Sequence, residues 1–297
     1  MAVGSAAREP RRIQWADAGP FIALAVVVLA GLLLNDNFLS ATNIANVVTR
    51  SAFVAIIAVG ATFVISSGGL DLSVGSMMAF VTGIMILTMN RLEPSMGANA
   101  ILIGAGVGLV VGALCGLLNG LIVTVGKIEP FIATLGTMGI FRALITWMSD
   151  GGSIPIERAL RDPYRPVYFG NLLGIPLPVV ITLVVVLAGA FLLYRTRYGR
   201  RCMAAGSNPD VARFSGVSVA RVRTTAFVIQ GVCVPIAVSI PAATHGWTGG
   251  VVYHAEQAEK EIEAAFPNID VIVKTSPSAT AQVSALEDMS ASQTLDA

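Results

Sequence analysis

Long apolar runs, broken by short polar or glycine-rich stretches, set the pattern of this chain from Phe21 onward. A membrane-spanning helix requires about 20 apolar residues. Runs of that kind predict helices over 20–36, 43–67, 73–89, 98–125, 131–149, 178–194 and 224–240. The first, third and last are short, and the fourth is long enough to tilt. The pattern therefore predicts an all-α polytopic membrane protein of about seven transmembrane helices, some of them broken. From about residue 242 the pattern changes. Residues 256–266 have the charge and spacing of a soluble amphipathic helix, 269–274 read as a buried strand, and 279–290 as a second helix. Such a run opens an α/β fold, so a short incomplete α/β tail is expected behind the membrane part.

Composition agrees with the pattern. The chain is 55% hydrophobic and 12% charged, with a mean hydropathy of +0.75. Soluble domains carry roughly 25% charged residues. A net charge of +1 gives no reason to expect a nucleic-acid partner. Cys115, Cys202 and Cys233 show no paired spacing and read as packing residues, with no metal site or disulfide expected.

Charge distribution sets the orientation. Arg8, Arg11 and Arg12 precede the first apolar run, and no small-residue cleavage site follows it, so an uncleaved first helix with a cytoplasmic N-terminus is expected. Seven crossings then place 126–130 and 195–223 in the cytoplasm and 90–97 and 150–177 outside. The inside segments hold eleven Lys and Arg residues and the outside loops four. That bias is the one the positive-inside rule expects. The proline- and glycine-rich stretch 150–177 reads as a folded-back surface loop.

Gly104, Gly108, Gly112, Gly116 and Gly120 recur every four residues. They draw a smooth stripe down one helix face, which lets a neighbouring backbone approach closely. The run Gly68-Gly69-Leu70-Asp71-Leu72-Ser73-Val74-Gly75-Ser76 interrupts the hydrophobic pattern between the second and third segments. Irregular backbone at membrane depth is tolerated only where it is buried in protein or lines a cavity. Gly69, Leu70, Asp71, Leu72 and Ser73 are therefore transport-pathway candidates, since an acid within the membrane marks function by default. The alternative is that Asp71 or Ser73 caps the next helix. Pro130 is expected to start the fifth segment, with Lys127 and Glu129 solvated beside it. Arg142 inside that segment needs a partner or a wet cavity, with snorkelling or interior pairing as the simpler reading.

Between residues 194 and 223 lies a polar, arginine-rich island. Asn208-Pro209 with Asp210 behind it predicts a short surface helix. No nucleophile–base pair, carboxylate pair or ligand cluster occurs, so no enzyme is expected. The stretch 120–128 lacks the glycine spacing and the Ser or Thr of a phosphate-binding loop, so no ATPase site is expected in the chain itself.

Two strings carry a family resemblance. Gly69 to Gly75 resembles the Gly-Leu-Asp-Leu-Ser-Val-Gly signature of ribose-type ABC permeases, and Ala205-Gly206-Ser207-Asn208-Pro209 running into Ala212 and Ser215-Gly216 resembles their cytoplasmic coupling segment. Asn119-Gly120 and the string 127–138 also resemble that family, over about residues 15–235. The resemblance implies a permease subunit of the bacterial inner membrane that admits a monosaccharide such as ribose. It implies three protein partners: an ATP-binding-cassette ATPase (the separate subunit that binds ATP), a periplasmic sugar-binding protein and a second permease copy. It also implies ATPase coupling through Gly206, Asn208, Pro209, Asp210, Ala212, Ser215 and Gly216. Which sugar is carried is left open.

Residues 236–250 and 265–289 resemble the first strands and helix of a periplasmic sugar-binding protein. That resemblance implies sugar-contact candidates His245 and Trp247 in a tail spanning 236–297. On this reading the domains are 1–19 in the cytoplasm, a permease domain 20–235 with its coupling segment 195–223, and the tail. The juncture near Ile236 predicts a fusion or truncation, and with it the alternative of a non-transporting permease remnant. An ion-coupled secondary transporter, which also uses broken helices and a midplane acid, is the second alternative.

Overall fold

The computed structural model describes residues 15–35, 37–152 and 154–239, which fall into two compact units divided between Val48 and Thr49. The first unit holds α1 (Trp15–Leu34) and the opening turns of α2 (Ala41–Ser66). Gly31 makes room for the Phe38 ring, which occupies the space a side chain would need. The entry to α2 is capped locally. Ser40 Oγ accepts from the Asn43 amide at 3.2 Å, and Asn43 Nδ2 donates to the Phe38 carbonyl at 2.7 Å.

The second unit holds the remainder of α2, then α3 (Val74–Met96), α4 (Asn99–Thr124), α5 (Pro130–Met148) and α6 (Arg158–Phe169). A two-stranded hairpin follows, β1 (Asn171–Leu172) against β2 (Ile175–Pro176), and then α7 (Leu177–Arg195), α8 (Arg197–Ser207), α9 (Pro209–Phe214) and α10 (Val219–Ser239). Six of these helices, α2, α3, α4, α5, α7 and α10, are long and apolar enough to cross a membrane, and α1 adds the shorter apolar stretch Phe21–Leu34. Each of the seven predicted runs is a helix.

The bundle packs inside out relative to a soluble protein. Leu102, Val110, Leu114, Leu118 and Leu121 of α4, and Leu183, Val184, Leu187 and Phe191 of α7, are exposed on the surface. Contiguous apolar surface of this extent is what lipid contact requires. The opposite face of α4 carries the glycine stripe. Gly104 and Gly108 receive Met89 and Met85 of α3, while Gly112, Gly116 and Gly120 meet the backbone of α10 at Gly231, Phe227 and Thr224. The stripe thus serves close helix packing, with α4 and α10 antiparallel and backbone against backbone. Met77, Val81, Met85 and Met89 line the inner face of α3 at every fourth position, and Phe80 stacks on Phe141 of α5 at 5.7 Å between ring centroids.

Hydrogen bonds define the two ends of this unit. At one end Asn90 Nδ2 donates to the Pro155 carbonyl, and Tyr164 Oη donates to the Ser239 carbonyl at 2.7 Å. At the other, Thr124 and Thr224 hydroxyls meet at 3.0 Å, beside the connections 67–73 and 125–129 and the segment 196–218.

Three expectations need correcting. The stretch 150–177 does not stay a loop: Leu160 and Tyr164, one turn apart, are buried and carry α6 despite Pro163 and Pro166. Helix α3 continues through Pro94 to Met96, past the predicted residue 89. Helix α10 continues through Pro235, so residues 236–239 are its last turn and not a strand, and the domain boundary placed after 235 falls inside it. Val234, Pro235, Ala237 and Val238 are buried there. The rest of the proposed tail, His245 and Trp247 included, lies outside the described residues.

Candidate functional site

The connection 67–73 interrupts the helical backbone between α2 and α3, and four elements hold it. Gly68 has φ +80°, a left-handed conformation that only glycine adopts without strain, and it turns the chain out of α2. Ser73 is the residue before α3. Asp71 Oδ1 accepts from the Ser73 amide at 2.9 Å and from the Ser73 hydroxyl at 2.6 Å. This closes a local turn of the kind short acids form with their own backbone. From α4, the fully buried Asn119 donates through Nδ2 to Ser73 Oγ at 2.8 Å. From α5, Thr134 Oγ1 accepts from the Leu72 amide at 3.1 Å and donates to the Pro130 carbonyl at 2.8 Å.

Two acceptors remain at this cluster. Asp71 Oδ2 and Asn119 Oδ1 are buried and have no partner among the described residues. Unpaired buried acceptors are costly, and where they persist they call for an explanation beyond packing. One oxygen of Asp71 is thus tied to Ser73 just before α3, and the other has no partner among the described residues. Leu70, by contrast, is exposed.

The remaining two holders come from the arginine-rich island. Arg223 of α10 donates from Nε to the Ser67 carbonyl at 3.0 Å. Gly206 of α8 lies so close to Ser66 and Gly68 that any side chain there would collide with their backbone. One turn earlier, the Cys202 thiol contacts the Phe63 carbonyl at 3.3 Å, and Tyr198 stacks on the Phe63 ring with centroids 6.1 Å apart. Burial pushes the Cys202 thiol up to about 11, and burial beside Cys202 pushes the Tyr198 phenol up as well. The island is thus bolted to the end of α2 and to the connection that carries Asp71.

Beyond α8 the expected short helix is present. Asn208 Oδ1 accepts from the amides of Asp210 and Val211 at 3.1 and 3.0 Å, with Pro209 in the first turn. Asp210 pairs with Arg213 at 2.9 Å. Gly216, at φ +78°, ends the helix, and its amide donates to the Arg213 carbonyl. Ala212 is buried against α8, whereas Phe214 is 92% exposed and Val211 and Ser215 are exposed beside it. Helix α9 is a capped, rigid tip with a protruding aromatic ring.

The sequence strings thus meet in space. Gly69 to Ser73 and Gly206 lie at one end of the bundle, while Asn208 to Gly216 extend from it. Sequence reasoning missed Thr134 and Arg223 as members of the cluster, and Asn119 was noted only as part of a string. Arg142 lies apart from this cluster. It is exposed, forms no ion pair among the described residues, and lines a cavity of about 1020 Å³ at the far end together with Thr82, Thr146 and Tyr164.

The model of the family described as "Branched-chain amino acid transport system / permease component" matches residues 43–244. The chain is 36% identical over 225 residues to a ribose import permease protein of Bacillus subtilis, covering 75% of this chain and 67% of that one. It is 34% identical over 236 residues to the D-allose transport system permease protein of Escherichia coli, covering 78% and 69%. To the L-arabinose transport system permease protein of the same organism it is 32% identical over 223 residues, covering 75% and 65%. It spans about two thirds of the length of these relatives. No solved structure matches.

Proposed function

The chain belongs to the permease-component family whose model covers residues 43–244, and from that premise we propose that it is the membrane subunit of an ATP-driven importer of a monosaccharide such as ribose. It is a multi-pass protein of the bacterial inner membrane and not an enzyme. The family description names branched-chain amino acids, but the similar proteins quoted above are named for ribose, allose and arabinose, which favours a sugar. Its proposed partners are an ATPase subunit, a periplasmic sugar-binding protein and a second copy of the chain.

One observation carries the mechanism: the bond from Arg223 to the Ser67 carbonyl, reinforced by the close seat of Gly206, joins the island to the Asp71 connection. On this reading the island end is cytoplasmic, as its arginines require, and so is the N-terminus. The α9 tip, capped by Asn208 and Pro209 and closed by Gly216, seats in the ATPase with Ala212 as its inner support. Asp210 keeps the tip neutral through Arg213, and Ser215 borders Phe214. A displacement of α8 by the ATPase then reaches Gly69, Leu70, Asp71, Leu72 and Ser73 without an intervening flexible segment. The free oxygens of Asp71 and Asn119 make that connection the place where the solute path opens or closes. Coupling through a packed element with two arrangements is the physical requirement for such a link.

The test is uptake of labelled ribose in a host that lacks its own ribose permease but keeps the ATPase and binding protein. Uptake that needs ATPase turnover is expected, with Asp71→Asn strongly impaired at unchanged membrane level. Uptake that survives loss of the ATPase and collapses with an uncoupler would overturn the ATP-driven reading. Normal uptake by Asp71→Asn would remove that residue from the pathway.

A further inference from the structure

Helix α8 has two chemically opposite faces. Tyr198, Cys202 and Ala205 point inward against α2 and α10. On the other side Arg197, Arg200, Arg201 and Ala204 rim a shallow cavity of about 430 Å³ closed by Val217. Spacing of three and four residues places the three guanidinium groups on one side of the helix. The ion pairs among the described residues are Arg165–Asp162 and Arg213–Asp210, so none of these three arginines is paired. Like charges at this spacing repel one another, a cost that an anion removes.

Their height relative to the membrane follows from the chain itself. Thr196 is at once the C-cap of α7 and the N-cap of α8, so Arg197 stands two residues beyond the end of a spanning helix. Tyr194, exposed in the last turn of α7, marks the headgroup level at which amphipathic aromatic rings collect. Gly199 sits close against the Leu193 carbonyl, with no room for a side chain between the start of α8 and the end of α7. The arginine face therefore begins where lipid phosphates lie.

We propose that the Arg197, Arg200 and Arg201 face of α8 binds the phosphate of an anionic phospholipid headgroup. Guanidinium groups hold phosphate oxygens through paired, charge-assisted hydrogen bonds, and basic clusters immediately after a membrane helix attract anionic lipid. The neighbouring α9 has the opposite character: its own charges cancel and its exposed tip is apolar. Lipid and ATPase are thereby assigned to separate faces of the same island. A bound headgroup would fix the height of α8, and with it the seat of Gly206 against Ser66 and Gly68.

The full chain is placed in nanodiscs of mixed phosphatidylglycerol and phosphatidylethanolamine, and the lipids it retains on release are counted by native mass spectrometry. Preferential retention of phosphatidylglycerol is expected. The preference should fall about fivefold for each arginine removed in the R197Q/R200Q/R201Q series. The triple Lys variant should keep most of it, because the charge remains, and Arg165→Gln at the far end should not alter it. Equal retention by the native chain and the triple Gln variant would overturn the site. Displacement of the lipid by millimolar inorganic phosphate would show a soluble-anion site instead. A triple Gln variant that keeps its lipid but no longer binds the ATPase subunit would make the face a protein-docking surface.

Discussion

Arg223 of α10 donates to the Ser67 carbonyl of the α2–α3 connection at 3.0 Å, across 156 positions of sequence. The bond satisfies a carbonyl just past the end of α2 and ties the exit of the island to the connection that holds Asp71. Arg223→Ala should leave insertion intact but lower ATP-dependent uptake by about tenfold, the order of a coupling free energy between sites. Arg223→Lys should rescue little, since a lysine lacks the planar donor that reaches Ser67. Uptake and ATP turnover, measured side by side, check this: uptake should fall further than turnover. Parallel losses would indicate simple misassembly.

The rigidity of α9 rests on its two ends. Asn208→Ala removes the acceptor for two amides and should cost about 1 kcal/mol of local stability. Gly216→Ala has free space around it but must hold φ +78°, at a cost of about 1 kcal/mol. Both variants should speed hydrogen exchange in 209–216 while α4 and α10 stay protected. A global rise in exchange would show that α9 is not an independent unit.

Gly116 and Gly106 lie on the same helix and should respond oppositely. A side chain at Gly116 meets the α10 backbone at Phe227, whereas one at Gly106 meets nothing within 4 Å. Gly116→Leu should abolish accumulation, because the antiparallel backbones must separate. Gly106→Ala should be neutral or gain up to about 1 kcal/mol from helix propensity. Membrane levels and detergent melting temperatures decide the matter.

Cys202 is fully buried, and burial pushes its thiol up to about 11. A raised pKa keeps the neutral thiol dominant at pH 7 and 8, and thiolate accumulates only as the pH climbs toward 11. Maleimide should therefore leave Cys202 unlabelled at pH 7.5 in the folded chain and label it rapidly in denaturant. Prompt labelling without denaturant would mean that α8 detaches from α2.

Much of this architecture is legible in the chain because a membrane imposes a harsh rule: every spanning backbone group must bond within its own helix, so length and apolarity suffice to locate helices. The Asn208-Pro209-Asp210 string gave the short helix for a similarly local reason, since capping acts within one turn. Locality also explains the failures. Helix α6 was hidden because its two prolines outweigh, in a local reading, the buried pair Leu160 and Tyr164. The predicted start of α10 is 224 because the apolar run begins there, whereas Val219 and Val222, buried against α8 and α9, carry the helix back to Val219.

The sequence by itself determined the apolar helices, the glycine stripe and the two polar strings, since each depends on length, period or a cap within a few residues. Only the tertiary structure decided that Asn119, Thr134, Gly206 and Arg223 converge on one short connection. Their hydrogen bonds and close backbone approaches join residues far apart in sequence. No local pattern encodes such meetings, because they exist only once α4 and α10 have packed together.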